Sequence, residues 1–345
     1  MKIMNIKHTT ANSIKSNMWL ASLAIAFACF VTLCAVAQTA SQTGVQPAPK
    51  VGTHTATAAK AAPMVRGKTF ATAEAAADAI IDAAEKFDLA ALDAILGPEG
   101  KDITHSTEPT RDRERATAFA AMARQKKSVD VDRRNPNKAV LSVGPDNWPF
   151  PIPIVRTAGK WGFDTRAGRQ EVLYRRIGDN ELDAIKLCHG YVDAQHEYAL
   201  MKRDVNKVNQ YAQKIISTPG TQDGLAWQNA DGSWGGPIGE NVAKAVQQGY
   251  SNREPYHGYY FKILKGQGPA APLGELNYVV KGVMIGGFAL IAVPAEYRVT
   301  GVKTFMVSND GVVYEKDLGP HTLELAKKIE LFNPDKTWNP VKEAE

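Results

Sequence analysis

The sequence predicts an α+β protein with two folded regions, and three observations carry that reading. Apolar residues recur at helical spacing from Ala76 to Phe87 and again from Leu182 to Ala199. Short β-branched and aromatic runs follow each helical stretch, at Lys138–Val143, Tyr259–Leu264 and Thr304–Val307. Gly, Pro, Asn and Asp punctuate these runs into short antiparallel strands. The 345 residues suit two domains, and 44% hydrophobic with 22% charged residues excludes wholesale disorder.

Residues 1–37 read as a signal peptide. Lys2, Lys7 and Lys15 form a positive leader, Met18 to Cys34 is uninterruptedly apolar, and Ala35-Val36-Ala37 offers a small-x-small cleavage site. An uncleaved anchor is the alternative, since Met18 to Ala37 is about long enough to span a bilayer. Polar sequence follows at once and favours cleavage, while Leu33 before Cys34 argues against lipidation. The mature chain then starts at Gln38 and is periplasmic or secreted, with no stable membrane span. Cleavage removes Cys29 and Cys34 and leaves Cys188 as the only cysteine, so no intramolecular disulfide can form. Cys188 occupies an apolar helical position and is expected to be a buried structural thiol. Residues 38–66 are rich in Ala, Thr and Pro, cannot bury enough surface to offset their ordering entropy, and read as a flexible tether.

Net charge is +5, and losing the three leader lysines leaves 38 cations against 36 acids, or +2. No Lys/Arg cluster interleaves with aromatic residues, so nucleic acid is not an expected partner.

The first domain spans 67–165. Thr72 can cap a helix striped by Ala76, Ile80, Ala84 and Phe87, which Leu92, Ile95 and Leu96 extend to the stop at Gly97-Pro98. A second helix covers Asp112–Gln125. Lys138–Val143 is a strand, Pro145-Asp146-Asn147 a turn, Pro149–Val155 a Pro-punctuated edge strand, and Lys160–Asp164 ends a further strand. Trp148, Phe150, Trp161 and Phe163 are candidate pocket-lining residues, with packing against the first helix as the plain alternative. Residues 166–179 form an arginine-rich, polar-faced connecting helix.

The second domain covers 180–345. Asn180 caps a helix from Glu181 to about Met201 whose apolar face holds Leu182, Ile185, His189, Val192, His196 and Ala199. His189, Asp193 and His196 could supply metal ligands. Positions i and i+7 lie about 10 Å apart along one helix, however, and no second cluster completes a site, so no metal and no other cofactor is expected. Ser217–Pro237 is loop-like, and its Trp227 and Trp234 could stack on a sugar or anchor a partner. Strands follow at Tyr259–Leu264, Asn277–Val280 and Val283–Val293, the last with Gly286-Gly287 marking a bulge. Thr304–Val307 and Val312–Glu315 pair across Ser308-Asn309-Asp310-Gly311. Leu325, Ile329 and Phe332 stripe a final helix ending at Asn333-Pro334. Gly266-Gln267-Gly268 mimics a dinucleotide loop, but Pro272 forbids the helix it would need; no Walker, nucleophile-elbow, zincin or Cys-x-x-Cys motif occurs.

Three resemblances complete the reading. Two helices followed by strands closing on a Trp-x-Phe pair resemble the NTF2-like or cystatin-like folds, in which a curved sheet wraps a helix around an apolar pocket. Phe70-Ala-Thr-Ala-Glu-Ala-Ala, Leu96-Gly-Pro-Glu-Gly, Asn147-Trp-Pro-Phe-Pro-Ile-Pro and Trp161-Gly-Phe-Asp-Thr resemble the bacterial family catalogued as domain of unknown function 2950. So do Arg175-Arg-Ile-Gly-Asp-Asn-Glu-Leu, Tyr191-Val-Asp-Ala-Gln-His-Glu-Tyr-Ala, Tyr256-His-Gly-Tyr-Tyr-Phe, Met284-Ile-Gly-Gly-Phe-Ala-Leu and Asp310-Gly-Val-Val-Tyr-Glu-Lys-Asp-Leu-Gly. The family pattern tends to hold Arg where this chain has His196, and it brings no activity with it. Finally, one long helix, a loop and strands ending in a Thr-Phe-x-Val-x-x-Asp-Gly-Val-Val hairpin are similar to type IV pilin-like and pseudopilin globular domains. The leader lacks their Gly-cleavage site and Glu-bearing helix.

The expected function is a non-enzymatic binding or assembly role in the bacterial cell envelope, with an envelope protein or glycan as partner. The alternative is an envelope hydrolase acting on a glycan or peptide. A convergent acid/base pair in one pocket would favour the enzyme, and an apolar pocket would favour binding.

Overall fold

The computed structural model describes residues 65–201, 208–250 and 254–342. The expected signal peptide, its cleavage site and the tether up to residue 64 lie outside the described residues. Among the described residues, no helix is long and apolar enough to cross a membrane. The fold is α+β, with antiparallel sheets and packed helices.

Thr72 caps α1 (Ala73–Lys86), its Oγ1 accepting the Ala75 N–H at 3.0 Å. The helix buries Ala76, Ala77, Ile80, Ile81 and Ala84. It does not continue to Leu96. Phe87 turns left-handed at φ 49°, and Asp88 recaps a separate α2 (Leu89–Leu96) by accepting the Ala91 N–H. Asp is among the best N-cap residues, and here it outweighs the continuing apolar stripe. A 3-10 turn at Pro98–Gly100 and the short α3 (Lys101–Thr104) lead into α4 (Pro109–Gln125). This last helix starts three residues earlier than expected, with Pro109 in the first turn, where its missing N–H costs nothing.

The first sheet runs β1 (Lys127–Asp132), β2 (Asn135–Val143), β4 (Ile154–Thr157), β5 (Lys160–Phe163), all antiparallel, with β3 (Trp148–Pro149) on the end of β2. Strand β1 escaped the sequence reading because Val129 and Val131 are its only apolar residues. Pro149, Pro151 and Pro153 keep the expected extended segment from pairing throughout, so it splits into β3 and β4. Ile80, Ile81, Leu92, Ile95, Leu141, Ile154 and Phe163 belong to one core between these helices and the sheet.

The helix α5 (Thr165–Ala199) runs unbroken for 35 residues, about 50 Å at 1.5 Å per residue. Its cap is Asp164, which accepts the Ala167 N–H. The separate connector over 166–179 and the Asn180 cap are therefore corrected: Asn180 lies inside the helix, 0% exposed. Its amide is occupied by distant partners and does not compete for local backbone. Gly168 lets the helix touch the first core, since a Cβ there would sit 2.5 Å from Ile152 Cα.

The buried face of the second half is also rotated from the expected one. Ala184, Cys188, Tyr191, Gln195 and Tyr198 face inward, whereas Leu182 is 58% exposed and His196 is exposed. Polar tips made this face hard to recognise. Gln195 is satisfied inside, donating to the Tyr191 hydroxyl and the Ala212 carbonyl and accepting the Ala212 N–H.

Ser217–Pro237, expected as loop, contains β7 (Gly224–Gln228) and β8 (Trp234–Gly235), with β6 (Lys214–Ile216) parallel to β7. The unanticipated α6 (Gly239–Gln248) follows. Two small ribbons pair β10 (Gly266–Gln267) with β11 (Leu276–Asn277), and β12 (Val279–Val280) with β13 (Val283–Met284). The expected strand Val283–Val293 divides into β13 and the fully buried β14 (Ala289–Pro294), and Gly287 between them has φ 138°. The main second sheet is antiparallel in the order β17 (Asn339–Pro340), β16 (Val313–Asp317), β15 (Lys303–Ser308), β14, β9 (Tyr259–Leu264). The hairpin read from Asp310-Gly311 joins β15 to β16, with Gly311 at φ 77°. The final helix is shorter than expected: α7 covers Thr322–Lys327 and leaves Ile329 and Phe332 beyond it.

Tyr259, Tyr278, Phe288, Ile291, Phe305 and Phe332 centre the second core, which gathers buried residues between Ala184 and Trp338. The first core gathers residues between Ala73 and Phe163. The helix α5 contributes to both, Val172 packing against the first core and Ala184, Cys188 and Tyr191 belonging to the second.

Candidate functional site

The sequence marked aromatic residues near the Pro-rich segment as pocket candidates, and the first core contains a cavity there of about 360 Å³. Ile80 and Ala84 from α1, Leu92 and Leu96 from α2, Phe119 and Met122 from α4, and Val172 from α5 line it. Trp148 and Phe150 complete the wall. A second hollow of about 400 Å³ lies by Lys316, Lys328, Glu330 and Trp338, and among the described residues no buried unpartnered side-chain atom belongs to its lining.

The first cavity has one charged end, built by α4 and α5. Arg176 is 5% exposed and donates from Nη1 to the Asp102 carbonyl at 2.7 Å and from Nη2 to the Ile103 carbonyl at 2.6 Å. Asp112 Oδ1 is 3.5 Å from Arg176 Nη2, and its Oδ2 accepts the Ser106 N–H at 2.8 Å. Arg115 donates from Nη2 to Asn180 Oδ1 at 2.6 Å. Among the described residues, Arg115 Nη1 and Arg176 Nε are buried donors with no acceptor, and Asp112 Oδ1 has no donor. Burial, reinforced by the like charges of Arg111 and Arg176, lowers Arg115 to about 10 despite Glu108 and Asp179. At the solvent side, Arg175 lies over the Trp148 ring at 4.6 Å and donates to Glu171 and to the Pro149 carbonyl.

A second polar cluster flanks this end. Arg111 and His257 both converge on Asp183 Oδ2, at 3.0 and 2.9 Å. Burial alone would raise Asp183, but the His257 and Arg111 contacts outweigh it and hold the carboxyl below its usual range. His257 stacks on Tyr256 at 4.1 Å. Glu108 is 2% exposed, and burial pushes its carboxyl up against the pull of the Gly258 amide, Arg115, His257 and Arg111. Asn180 also donates from Nδ2 to the Thr300 carbonyl at 2.8 Å. Gly258 passes so close that a Cβ would stand 2.2 Å from that nitrogen.

The sequence candidates separate sharply by position. Trp148, 53% exposed, and Phe150 line the cavity. Phe163 is buried behind Phe150, ring centroids 6.0 Å apart, and Trp161 packs near Arg156 while its backbone bridges Phe70; neither lines the cavity. Trp227 pairs across β7 and β8 with Gly235, and Trp234 with Gln228. Opposite partners share a face and neighbours alternate, so the two tryptophans point to opposite faces and make no common platform. Trp227 is packed partly into the second core. His189, Asp193 and His196 are not gathered: Asp193 and His196 are exposed, and His196 leans edge-on to Phe288 at 5.5 Å. Among the described residues, no group of three or more His, Cys, Asp or Glu side chains could hold a metal ion. Cys188 is buried, and burial pushes its thiol up to about 12.

The sequence reading missed Arg115, Arg176 and Asn180. The only available signal was the density of arginines from Arg166 to Arg176, which was assigned to a solvent-facing helix. A family model described as Protein of unknown function (DUF2950) matches residues 67–341, and the chain belongs to that family. No curated protein and no solved structure matches it.

Proposed function

We propose that this member of the DUF2950 family is an exported, non-enzymatic binding protein of the bacterial envelope, whose cavity in the first region holds a small, largely apolar ligand. The carrying observation is the cavity itself: about 360 Å³, walled by Ile80, Leu92, Leu96, Phe119, Met122 and Phe150, with few polar groups on its wall. Cavities of this size with few convergent polar groups are the usual form of small-molecule sites. The helix-against-sheet arrangement around it suits the NTF2-like resemblance, and the leader with its Ala35-Val36-Ala37 site supports export. Asp112 is engaged by Arg176 and the Ser106 amide, and Asp183 by Arg111 and His257. The Asp112 pairing favours binding over the hydrolase alternative, which needs a carboxylate or imidazole able to move a proton at a cavity wall and would rest on Asp179, the other acid lining the cavity, whose carboxyl burial pushes up.

The test is titration of the purified protein with N-phenyl-1-naphthylamine, a neutral apolar fluorophore. Saturable enhancement is expected, and Ala116→Phe, which fills the cavity, should weaken it about tenfold or more at unchanged fold. Equal enhancement in both proteins would overturn the reading. Intact-mass measurement of exported material should give a chain beginning at Gln38, and retention of residues 1–37 would overturn the export part.

A further inference from the structure

We propose that the junction between the two regions holds a proton-operated latch: Glu108 seats a turn of the second region while it carries a proton and loosens that seat when it ionises. The turn is Tyr256–Tyr259, in which the first and last residues bond each other's backbone at 2.9 and 3.2 Å. Its two corner residues, His257 and Gly258, have φ 50° and 81°, which suits a two-residue hairpin turn. A non-glycine residue at positive φ is uncommon, and this one is fixed from across the junction. His257 Nδ1 lies 2.9 Å from Asp183 Oδ2 on α5, and Gly258 passes against the Asn180 amide.

Glu108 faces the same turn from the start of α4, and the Gly258 amide, Arg115, His257 and Arg111 all pull on its charge. It is the N-cap residue, yet its side chain takes no hydrogen bond from the helix it caps. It is 2% exposed, and among the described residues neither of its carboxyl oxygens has a hydrogen-bond donor. The neighbouring acids are better provided. Asp112 and Glu114 each have one oxygen engaged, by the Ser106 N–H and by Arg111, and Asp183 has both Arg111 and His257. Asp179 reaches solvent.

Charge balance gives this cluster a proton to place. The start of α4 supplies Glu108, Asp112 and Glu114 with Arg111 and Arg115, and α5 supplies Asp179 and Asp183 with Arg176 and Lys186. The second region adds His257 and the Tyr250 and Tyr256 hydroxyls, both kept neutral by burial. Among the described residues, five carboxyls thus meet four cations, and Lys186 is 76% exposed. One proton on Glu108 or on His257 restores the balance. A buried carboxylate without a donor is far costlier than a buried neutral acid, so the proton belongs on Glu108. Burial accordingly pushes its carboxyl above the ordinary 4.5. The folded chain therefore keeps a proton that the unfolded chain releases. The stabilisation is complete below about pH 4.5 and is lost as pH rises through the folded value.

The test compares the purified protein with Glu108→Gln, which keeps the shape and cannot ionise, in denaturant unfolding at a series of pH values upward from 4.5. The unfolding constant of the unaltered protein should rise with pH relative to that of the variant, by up to about tenfold per pH unit, the limit for one proton. Groups that titrate alike in both proteins cancel in this ratio. Hydrogen exchange of peptides spanning the Tyr256–Tyr259 turn, compared at equal pH, should match in the two proteins in acid. At alkaline pH it should be on the order of tenfold faster in the unaltered protein. A constant ratio of unfolding constants, or turn exchange that matches at every pH, would overturn the latch. His257→Asn, whose side chain tolerates the left-handed corner, should keep the pH response. Loss of the response there, with its survival in Glu108→Gln, would put the proton on His257 and overturn the assignment. Should Glu108→Gln fail to fold, turn exchange in the unaltered protein is measured against that of β14. Protection of the turn that falls relative to β14 as pH rises supports the latch, and a constant ratio overturns it.

Discussion

Replacing Asn180 by alanine removes a buried side chain that bonds both regions. Its Oδ1 accepts from Arg115 Nη2 at 2.6 Å and its Nδ2 donates to the Thr300 carbonyl at 2.8 Å. A hydrogen bond to a charged group contributes about 1.5–3 kcal/mol, and orphaning a buried carbonyl costs about 1–3 kcal/mol more. Alanine's higher helix propensity returns only a few tenths, up to about 0.7 kcal/mol. The expected loss is therefore about 2–6 kcal/mol, read in equilibrium denaturant unfolding. At about 2.1 cal/mol/K of unfolding entropy per residue over the roughly 270 described residues, it corresponds to a fall in Tm of roughly 4–10 °C. The bridge also predicts coupling: Arg115→Met should cost much less in the Asn180→Ala background than alone, because their shared bond is already gone. A loss under about 1 kcal/mol, or strict additivity of the two substitutions, would refute the bridging role.

Three further outcomes are expected. Gly168→Ala should destabilise by more than about 1 kcal/mol although alanine ordinarily favours a helix interior by about that amount, since the new Cβ meets Ile152 Cα at 2.5 Å and the Pro151 carbonyl at 2.6 Å. Unchanged or raised stability in thermal unfolding would contradict the close approach. The folded Cys188 thiol stays protonated to about 12, whereas the ordinary value is 9.0, so the native state binds the extra proton. Its contribution is complete below pH 9 and is lost as pH rises from about 9 toward 12, and Cys188→Ala should flatten that part of the stability profile. Residues 180–345 alone should retain a cooperative unfolding transition, because the second core gathers only residues from Ala184 onward. Absence of any transition would mean that α5 needs the first region to fold.

Local signals in the chain were legible where a residue acts on its own neighbours. Thr72 caps α1, Asp310-Gly311 turns the hairpin, and Cys188 fills an interior helical position, all through contacts within a few residues or through size and apolarity. Trp148 and Phe150 could be placed at a pocket for the same reason. What stayed hidden depends on partners far along the chain. Arg176 can be buried only because the carbonyls of Asp102 and Ile103, more than seventy residues away, receive it. Asn180 reads as a helix cap by residue type, yet its actual partners are Arg115 and Thr300. Trp227 and Trp234 lie in one loop-like stretch of sequence, and only the β7–β8 register shows that they point to opposite faces.

The measurement that bears most directly on the binding reading is a crystal structure with 10-bromodecanoic acid, in which anomalous scattering locates the chain end without ambiguity. The bromine is expected inside the first cavity among Leu92, Leu96 and Phe119. A bromine peak only on the outer surface, or none while the cavity stays unfilled, would contradict it.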